Sequence, residues 1–232
     1  MGRRIAALIR HGDYHQLPGA PSALQPFPLN EAGQGHARHA AVELVGYLER
    51  ENWHLASVVD SSRLLRGWQT AAIMVDRLGD RFSGEASIES FDELAERSVG
   101  SAANLTVEQI ERILRDDPRF DQPPAGWKAD SRYRLPLQGA ESLLEAGERV
   151  AGHLVRRMSD LNPQDDTVKL FVGHGAAFRH AAYHLGVLAF DDIAKLSMYH
   201  GRPVFLEVFP DGSWKHVAGE WKVRGKREDF VD

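Results

Sequence analysis

The chain of 232 residues contains no cysteine. A disulfide scaffold, a thiolate zinc site, an iron–sulfur cluster and a cysteine nucleophile are therefore excluded. Long apolar runs are missing as well. No stretch approaches the about 18–20 apolar residues of a membrane span. The first run, Ile5 to Ile9, meets Arg10 and His11 at once, whereas a secretory signal needs about 7–15 apolar residues and a small-residue cleavage site. Ala6 stands where myristoylation requires Ser or Thr. Positive charge is not in excess: 28 Lys and Arg face 33 Asp and Glu, a net of −5. A general nucleic-acid binder would carry a basic face. The expectations are a cytoplasmic protein with neither a nucleic acid nor a membrane as partner. The sequence also lacks a Gly-x-Ser-x-Gly elbow and a Walker lysine loop, which argues against a serine hydrolase or a P-loop NTPase.

What is present is an ordinary globular composition, 43% hydrophobic and 26% charged. The length suits one large α/β domain over residues 1–232, able to bury about 70–75% of its unfolded surface. Residues 4–9 are short and apolar, as a strand buried on both faces should be. Residues 13–30, with Pro18, Pro21, Pro26 and Pro28, form an irregular loop. Asn30 is a good N-cap for a helix whose Ala37, Ala40, Ala41, Leu44, Val45 and Leu48 recur at helical spacing. Further strands are expected at 55–60, 86–90 and 167–172, with helices at 64–78, 106–115, 141–158 and 176–185. Alternation over 204–209, the turn Pro210-Asp211-Gly212 and a strand at 213–218 predict a C-terminal hairpin. This order predicts a three-layer α/β/α sandwich with a mostly parallel sheet and an antiparallel edge.

In such sheets chemistry sits beyond the carboxyl ends of the strands. The first strand ends in Arg10-His11-Gly12 and a later one in Gly173-His174-Gly175. A neutral imidazole is a good nucleophile near pH 7, and an arginine fork grips phosphate oxygens bidentately. Phosphoryl chemistry follows from that pairing.

With its other motifs the sequence resembles the histidine phosphatase superfamily, the phosphoglycerate-mutase-like fold, over about residues 4–218. Arg10-His11-Gly12 matches the opening motif. Ser61-Ser62-Arg63-Leu64-Leu65-Arg66-Gly67-Trp68-Gln69-Thr70-Ala71 matches the serine-rich strand end that leads into a helix. Leu94-Ala95-Glu96-Arg97-Ser98-Val99-Gly100 resembles the acid-bearing segment, and Gly139-Ala140-Glu141-Ser142 with Arg149 resembles the helix start before the last core strand. Gly173-His174-Gly175-Ala176-Ala177-Phe178-Arg179 matches the second-histidine motif. The resemblance implies that His11 is the nucleophile and is transiently phosphorylated. It implies that Arg10, Arg66 and His174, with Gly175, hold the phosphoryl oxygens, that Glu96 is the acid and then the base, and that Ser62 orients a histidine behind the pocket. Two guanidiniums and a protonated His174 would leave no electrostatic need for a metal, and no cofactor is implied. A carboxylic acid working near neutral pH needs a raised pKa, so Glu96 is expected to be withdrawn from water.

The departures bear on function. Family members often carry an asparagine where this chain has Leu17; Gln16 is the candidate to stand in, as a substrate contact. Cofactor-dependent mutases show Glu-Arg-x-Tyr in the acid segment, where this chain keeps Glu96 and Arg97 but has Val99. Arg97 is either a substrate contact or a solvated charge. These losses favour a metal-independent phosphatase over a bisphosphoglycerate-dependent phosphoglycerate mutase, with a non-catalytic phosphate-binding scaffold as the third reading. The expected partner is a phosphorylated small molecule, with a phosphoprotein second. Loops 13–30 and 116–138 are the expected lids, the latter carrying Phe120, Trp127, Lys128, Arg132, Tyr133 and Arg134. His180 and His184 have the spacing of a metal pair, yet packing or surface roles suit them better because no third ligand is evident. Trp68 and Trp214 either serve an interface or cap the core.

Overall fold

A computed structural model describes residues 2–161 and 163–225. β1 (Arg4–Arg10) leads through a long loop to α1 (Glu31–Glu51). β2 (His54–Leu55) and β3 (Val58–Ser62) precede α2 (Leu65–Leu78), and β4 (Ser87–Phe91) is followed by α3 (Val107–Asp116) and α4 (Leu143–Ser159). β5 (Thr167–Gly173) runs into α5 (Gly175–His184) and the short α6 (Phe190–Ile193). β6 (Leu196–Ser197), β7 (Val204–Val208), β8 (Trp214–Gly219) and β9 (Lys222–Val223) complete the described order.

The main sheet runs β4-β3-β5-β1-β7-β8, with β2 beside β5. The pairs among β4, β3, β5 and β1 are parallel, and β7 and β8 add an antiparallel edge. Alternation along β1 explains the layers. Ile5, Ala7 and Ile9 pack with Ala40 and Leu44 of α1 and Ala71 and Met74 of α2. Ala6 and Leu8 face Val150 and Leu154 of α4 and Ala177 and Ala181 of α5. A strand buried on both faces reads as an unbroken apolar run because each face meets its own helix pair.

The helix starts carry their signals. Asn30 accepts from the Gly33 amide (2.8 Å), and Thr106 and Ser142 form capping boxes with Gln109 and Glu145. The single strand expected at 55–60 is two strands, since Ala56 and Ser57 interrupt the ladder and let β2 and β3 pair with different stretches of β5. The β6–β9 ribbon was not expected: two-residue strands show no periodicity. Trp214 is buried in the core, whereas Trp68 is 45% exposed. Trp127, expected in a substrate loop, is buried instead in a small third core with Ile110, Leu114 and Leu135, its indole N–H donating to Glu111 (3.1 Å).

A charged network interrupts the apolar layer on the α4 side. Asp60, fully buried in the middle of β3, accepts from His153 Nε2 (2.8 Å) and Arg157 Nε (2.8 Å), and Lys169 Nζ lies 2.7 Å away. Burial alone would raise its pKa, but the bonds from His153 and Arg157 and the charge of Lys169 hold it below the ordinary value. Asp60→Asn would leave Lys169 buried without its counter-charge. The expected cost is about 3–5 kcal/mol, read from urea unfolding at pH 7. Because the folded pKa lies below the unfolded one, Asp60 contributes fully above the unfolded value of 3.8 and loses its contribution as pH falls through the folded value. The gap between wild type and Asp60→Asn should therefore close only in that acidic range.

Candidate active site

Parallel pairing brings the chemistry to one edge. Arg10 pairs with Gly173 and Ser61 with Val172, so His11, His174 and Ser62 all emerge at the carboxyl ends of adjacent strands. The His11 amide donates to the Gly173 carbonyl (3.0 Å), extending the ladder one step. The turn then crosses the start of α1 with no space to spare: a Cβ on Gly12 would lie 2.2 Å from the Gly33 carbonyl oxygen. Glycine is needed at this crossing.

His11 is buried and its hydrogen bonds fix its tautomer. Nδ1 lies 2.7 Å from the Gly12 carbonyl, which can only accept, so Nδ1 carries the proton. Nε2 then presents a lone pair, and Arg66 Nε donates to it at 3.3 Å. Burial, then His174, Arg66 and Arg10, hold His11 well below the ordinary imidazole value. The ring is neutral at physiological pH, as a nucleophile must be.

Arg66 and His174 are fully buried against His11. The two histidine rings are 4.8 Å apart, and Arg66 stacks 4.4 Å from the Tyr14 ring centre. His174 Nδ1 is 3.4 Å from an Arg66 nitrogen, which can only donate, so its proton sits on Nε2 and points at Ser62 Oγ (2.9 Å). Ser62 thus lies behind His174. The expected charge on His174 is not present in this state: burial, Arg66 and Arg10 hold it well below the ordinary imidazole value. Arg66 is not an open fork either. Its terminal nitrogens donate to the carbonyls of Ser22 (2.8 Å), Ala23 (3.0 Å) and Gln25 (2.7 Å).

A cavity of about 150 Å³ lies over His11, lined by Arg10, Asp13, Tyr14, Gln16, Ser22, Glu96, Gly175 and His200. Arg10 reaches it past Gly175, where a Cβ would come within 3.1 Å of the arginine side chain. Gln16 lines it too, while the Leu17 amide is held by Gln25 Oε1 (2.9 Å). Glu96 is 6% exposed and accepts from the Arg97 amide (2.9 Å). The acid segment is framed by a part the sequence did not mark as functional. Arg149 makes a two-pronged ion pair with Glu141 (2.8 and 2.7 Å) and donates to the Glu93 carbonyl (2.7 Å). The Glu93 carboxylate lies outside the cavity, toward Arg156 (3.5 Å).

Arg97 is buried and lines an adjoining hollow of about 30 Å³ with Lys128, Arg179 and His180. That hollow shares Ser22 and Glu96 with the cavity over His11. Of the basic residues expected in the 116–138 loop, Arg134 pairs with Glu145 (3.0 Å) and Arg132 lies over Phe190 (4.6 Å), both exposed. His180 spends both nitrogens, on the Ala176 carbonyl (2.7 Å) and Ser131 Oγ (3.0 Å). Among the described residues no group of three or more His, Asp or Glu could hold a metal ion, and no helix is long and apolar enough to cross a membrane.

Buried neutral histidines make stability depend on pH. The unfolded chain protonates near 6.5, whereas folded His174 does so well below that. Its contribution is intact above pH 6.5 and is lost as pH falls toward the folded value, because the unfolded state then binds more protons. Unfolding free energy should decline between pH 6.5 and 5, and His174→Gln should flatten the slope by about 1.4 kcal/mol per pH unit at its steepest. Urea titrations across that range check this.

The sequence profile of the histidine phosphatase superfamily (branch 1) matches residues 6–218. A 2,3-bisphosphoglycerate-dependent phosphoglycerate mutase of Cutibacterium acnes is 27% identical over 197 residues, 78% of this chain and 76% of the relative. Among solved structures, a mycobacterial glucosyl-3-phosphoglycerate phosphatase superposes with a TM-score of 0.68 at 19% identity, covering 95% of this chain and 98% of its own. The α-ribazole phosphatase of Shigella flexneri gives 0.68 at 16% identity, covering 97% and 100%. Those two likenesses concern the fold. With the profile spanning nearly all of the sequence, the chain belongs to the histidine phosphatase superfamily, branch 1.

Proposed function

We propose that this protein is a phosphatase that hydrolyses phosphomonoesters through a phosphohistidine on His11, without a metal ion, in the cytoplasm. The observation that carries the reading is the His11 imidazole, with its proton on Nδ1 and its Nε2 lone pair beside the Arg66 guanidinium. In the first step Nε2 attacks phosphorus and the bond to the ester oxygen breaks. Glu96 gives that oxygen its proton and the alcohol leaves. In the second step the Glu96 carboxylate takes a proton from water, the water oxygen bonds to phosphorus, and the P–Nε2 bond breaks to release phosphate. Arg10, Arg66 and the Gly175 amide at the start of α5 stabilise the charge on the phosphoryl oxygens, and His174 joins them once the arriving dianion draws a proton onto its Nδ1. The charge of two arginines meets that of a phosphoryl dianion.

The alcohol portion extends toward Gln16 and into the adjoining hollow, where Arg97 meets it. A hollow of that size suits a phosphorylated small molecule better than a phosphoprotein. The mutase reading keeps support from the Cutibacterium relative, but Leu17 stands where family members often carry an asparagine and Val99 where cofactor-dependent mutases carry a tyrosine.

The first test is phosphate release from 4-nitrophenyl phosphate in EDTA. Turnover is expected, and His11→Ala should abolish it while preserving the fold. Glu96→Gln should slow hydrolysis of alkyl phosphates by about 10²–10⁴ and of the nitrophenyl ester much less, since nitrophenolate leaves without a proton. A mutase would interconvert 2- and 3-phosphoglycerate with little net phosphate release, and a scaffold would bind phosphate without turnover in either protein.

A further inference from the structure

The main chain that carries His11 is gripped from outside the phosphate pocket. The His11–Gly12 peptide donates its N–H to Thr70 Oγ1 (3.1 Å), and its carbonyl accepts from His200 Nδ1. The next peptide, Gly12–Asp13, offers its carbonyl to His11 Nδ1 (2.7 Å) and donates its N–H to His36 Nδ1 (3.3 Å). A carbonyl only accepts and an amide only donates, so His200 bears its proton on Nδ1 and His36 bears none there. The rings of His36 and His200 stack, 5.1 Å apart and 10° from parallel. They come from α1 and from the turn between β6 and β7, far apart in sequence.

The turn is shaped for this contact. Gly201 has φ +69°, and a Cβ there would lie 2.4 Å from the His36 carbonyl oxygen, so only glycine lets it close on α1. The same turn holds the neighbouring arginine, since Arg10 donates to the Met198 carbonyl (3.0 Å). Burial and the charge of Arg10 push His200 down to about 4, so it stays a neutral donor near pH 7.

We propose that His36 and His200 are positioning residues for the nucleophile: as a stacked pair they orient the two peptides around Gly12, keeping its carbonyl beneath His11 Nδ1 and the proton off Nε2. A rotated Gly12 carbonyl would release Nδ1. The proton could then reside on Nε2, and the ring could not attack. Neither histidine forms or breaks a bond in the reaction. Their effect falls on the fraction of His11 that is correctly protonated and aimed, and so on kcat more than on KM.

The catalytic consequence rests on the phosphatase reading; the tautomer does not, so both are measured. The full chain is labelled with 15N-histidine, and long-range 1H–15N NMR reads the His11 tautomer in the free protein at pH 7.5. Wild type should show His11 with an unprotonated Nε2. His200→Phe and His36→Phe keep an aromatic ring but lose the hydrogen bond, and should give a mixture of His11 tautomers. With 4-nitrophenyl phosphate, kcat should fall about 10–100-fold while KM changes less than about two-fold. His200→Asn, which restores an N–H donor, and His36→Gln, which restores an acceptor, should recover most of both signals. Should the Phe variants fail to fold, the same readings are taken on the Ala variants. An unchanged His11 tautomer in folded His200 and His36 variants overturns the proposal, as does a loss that the Asn and Gln variants do not recover. A wild type inactive on the ester, with the tautomer still shifted in the Phe variants, would overturn the phosphatase reading and support the positioning.

Discussion

The nucleophile proposed here, a histidine in a pocket for phosphate, faces one electrostatic constraint. The field that draws in a dianion must also keep a proton off the nucleophile. Here both demands are met by the same charges. Arg66 and Arg10 lower the proton affinity of His11 and His174, and Arg66 also donates to the His11 lone pair. Positive charge fixed as guanidinium cannot itself give up a proton near neutral pH. The imidazoles therefore remain neutral while the site remains cationic. Had the charge come from histidines, it would have varied with pH together with the nucleophile it was meant to protect.

That arrangement survives only in a rigid frame, and the sheet supplies it. His11, Ser62 and His174 sit at adjacent strand ends, so their spacing is set by backbone hydrogen bonds rather than by flexible side chains. Glu96 lies on a less regular segment after β4. Its placement needs the Glu141–Arg149 pair, whose guanidinium also holds the Glu93 carbonyl. Charge likewise appears inside the α4 layer, where Asp60 gathers His153, Arg157 and Lys169 one residue before Ser61. Burying those ions is costly, and the bonds from one helix and one neighbouring strand to a single carboxylate offset that cost.

Legibility in the sequence followed the same division. Strand ends beside glycines, helix caps and the apolar run of β1 are local signals; they placed Arg10, His11 and His174 at one edge, and the family resemblance added Ser62 and Arg66. Contacts between distant segments left no such trace. Neither His36, within α1, nor His200 belongs to a motif; only folding brings their rings together. Trp127 sat among basic residues and looked like part of a substrate loop, yet its large apolar surface completes a core with α3. The break between β2 and β3 was hidden because Ala56 and Ser57 disturb neither composition nor charge.

Arg66 shows most clearly what residue type leaves undetermined. An arginine in this motif reads as a bidentate clamp, because a guanidinium presents five donors in a planar fork. In the structure three loop carbonyls, from Ser22, Ala23 and Gln25, take the terminal nitrogens, and the two histidines occupy the inner edge. The side chain is then a tether for the 13–30 loop as much as a source of charge. Gln25 reinforces the tether, its amide oxygen on the Leu17 N–H and its amide nitrogen on the Pro21 carbonyl (2.9 Å each). Leu17, where the family resemblance implies an asparagine, is thus held through its backbone amide. Loop and charge centre form one unit, so a substitution in 21–25 that shifts those carbonyls changes the field at His11 without touching a catalytic side chain.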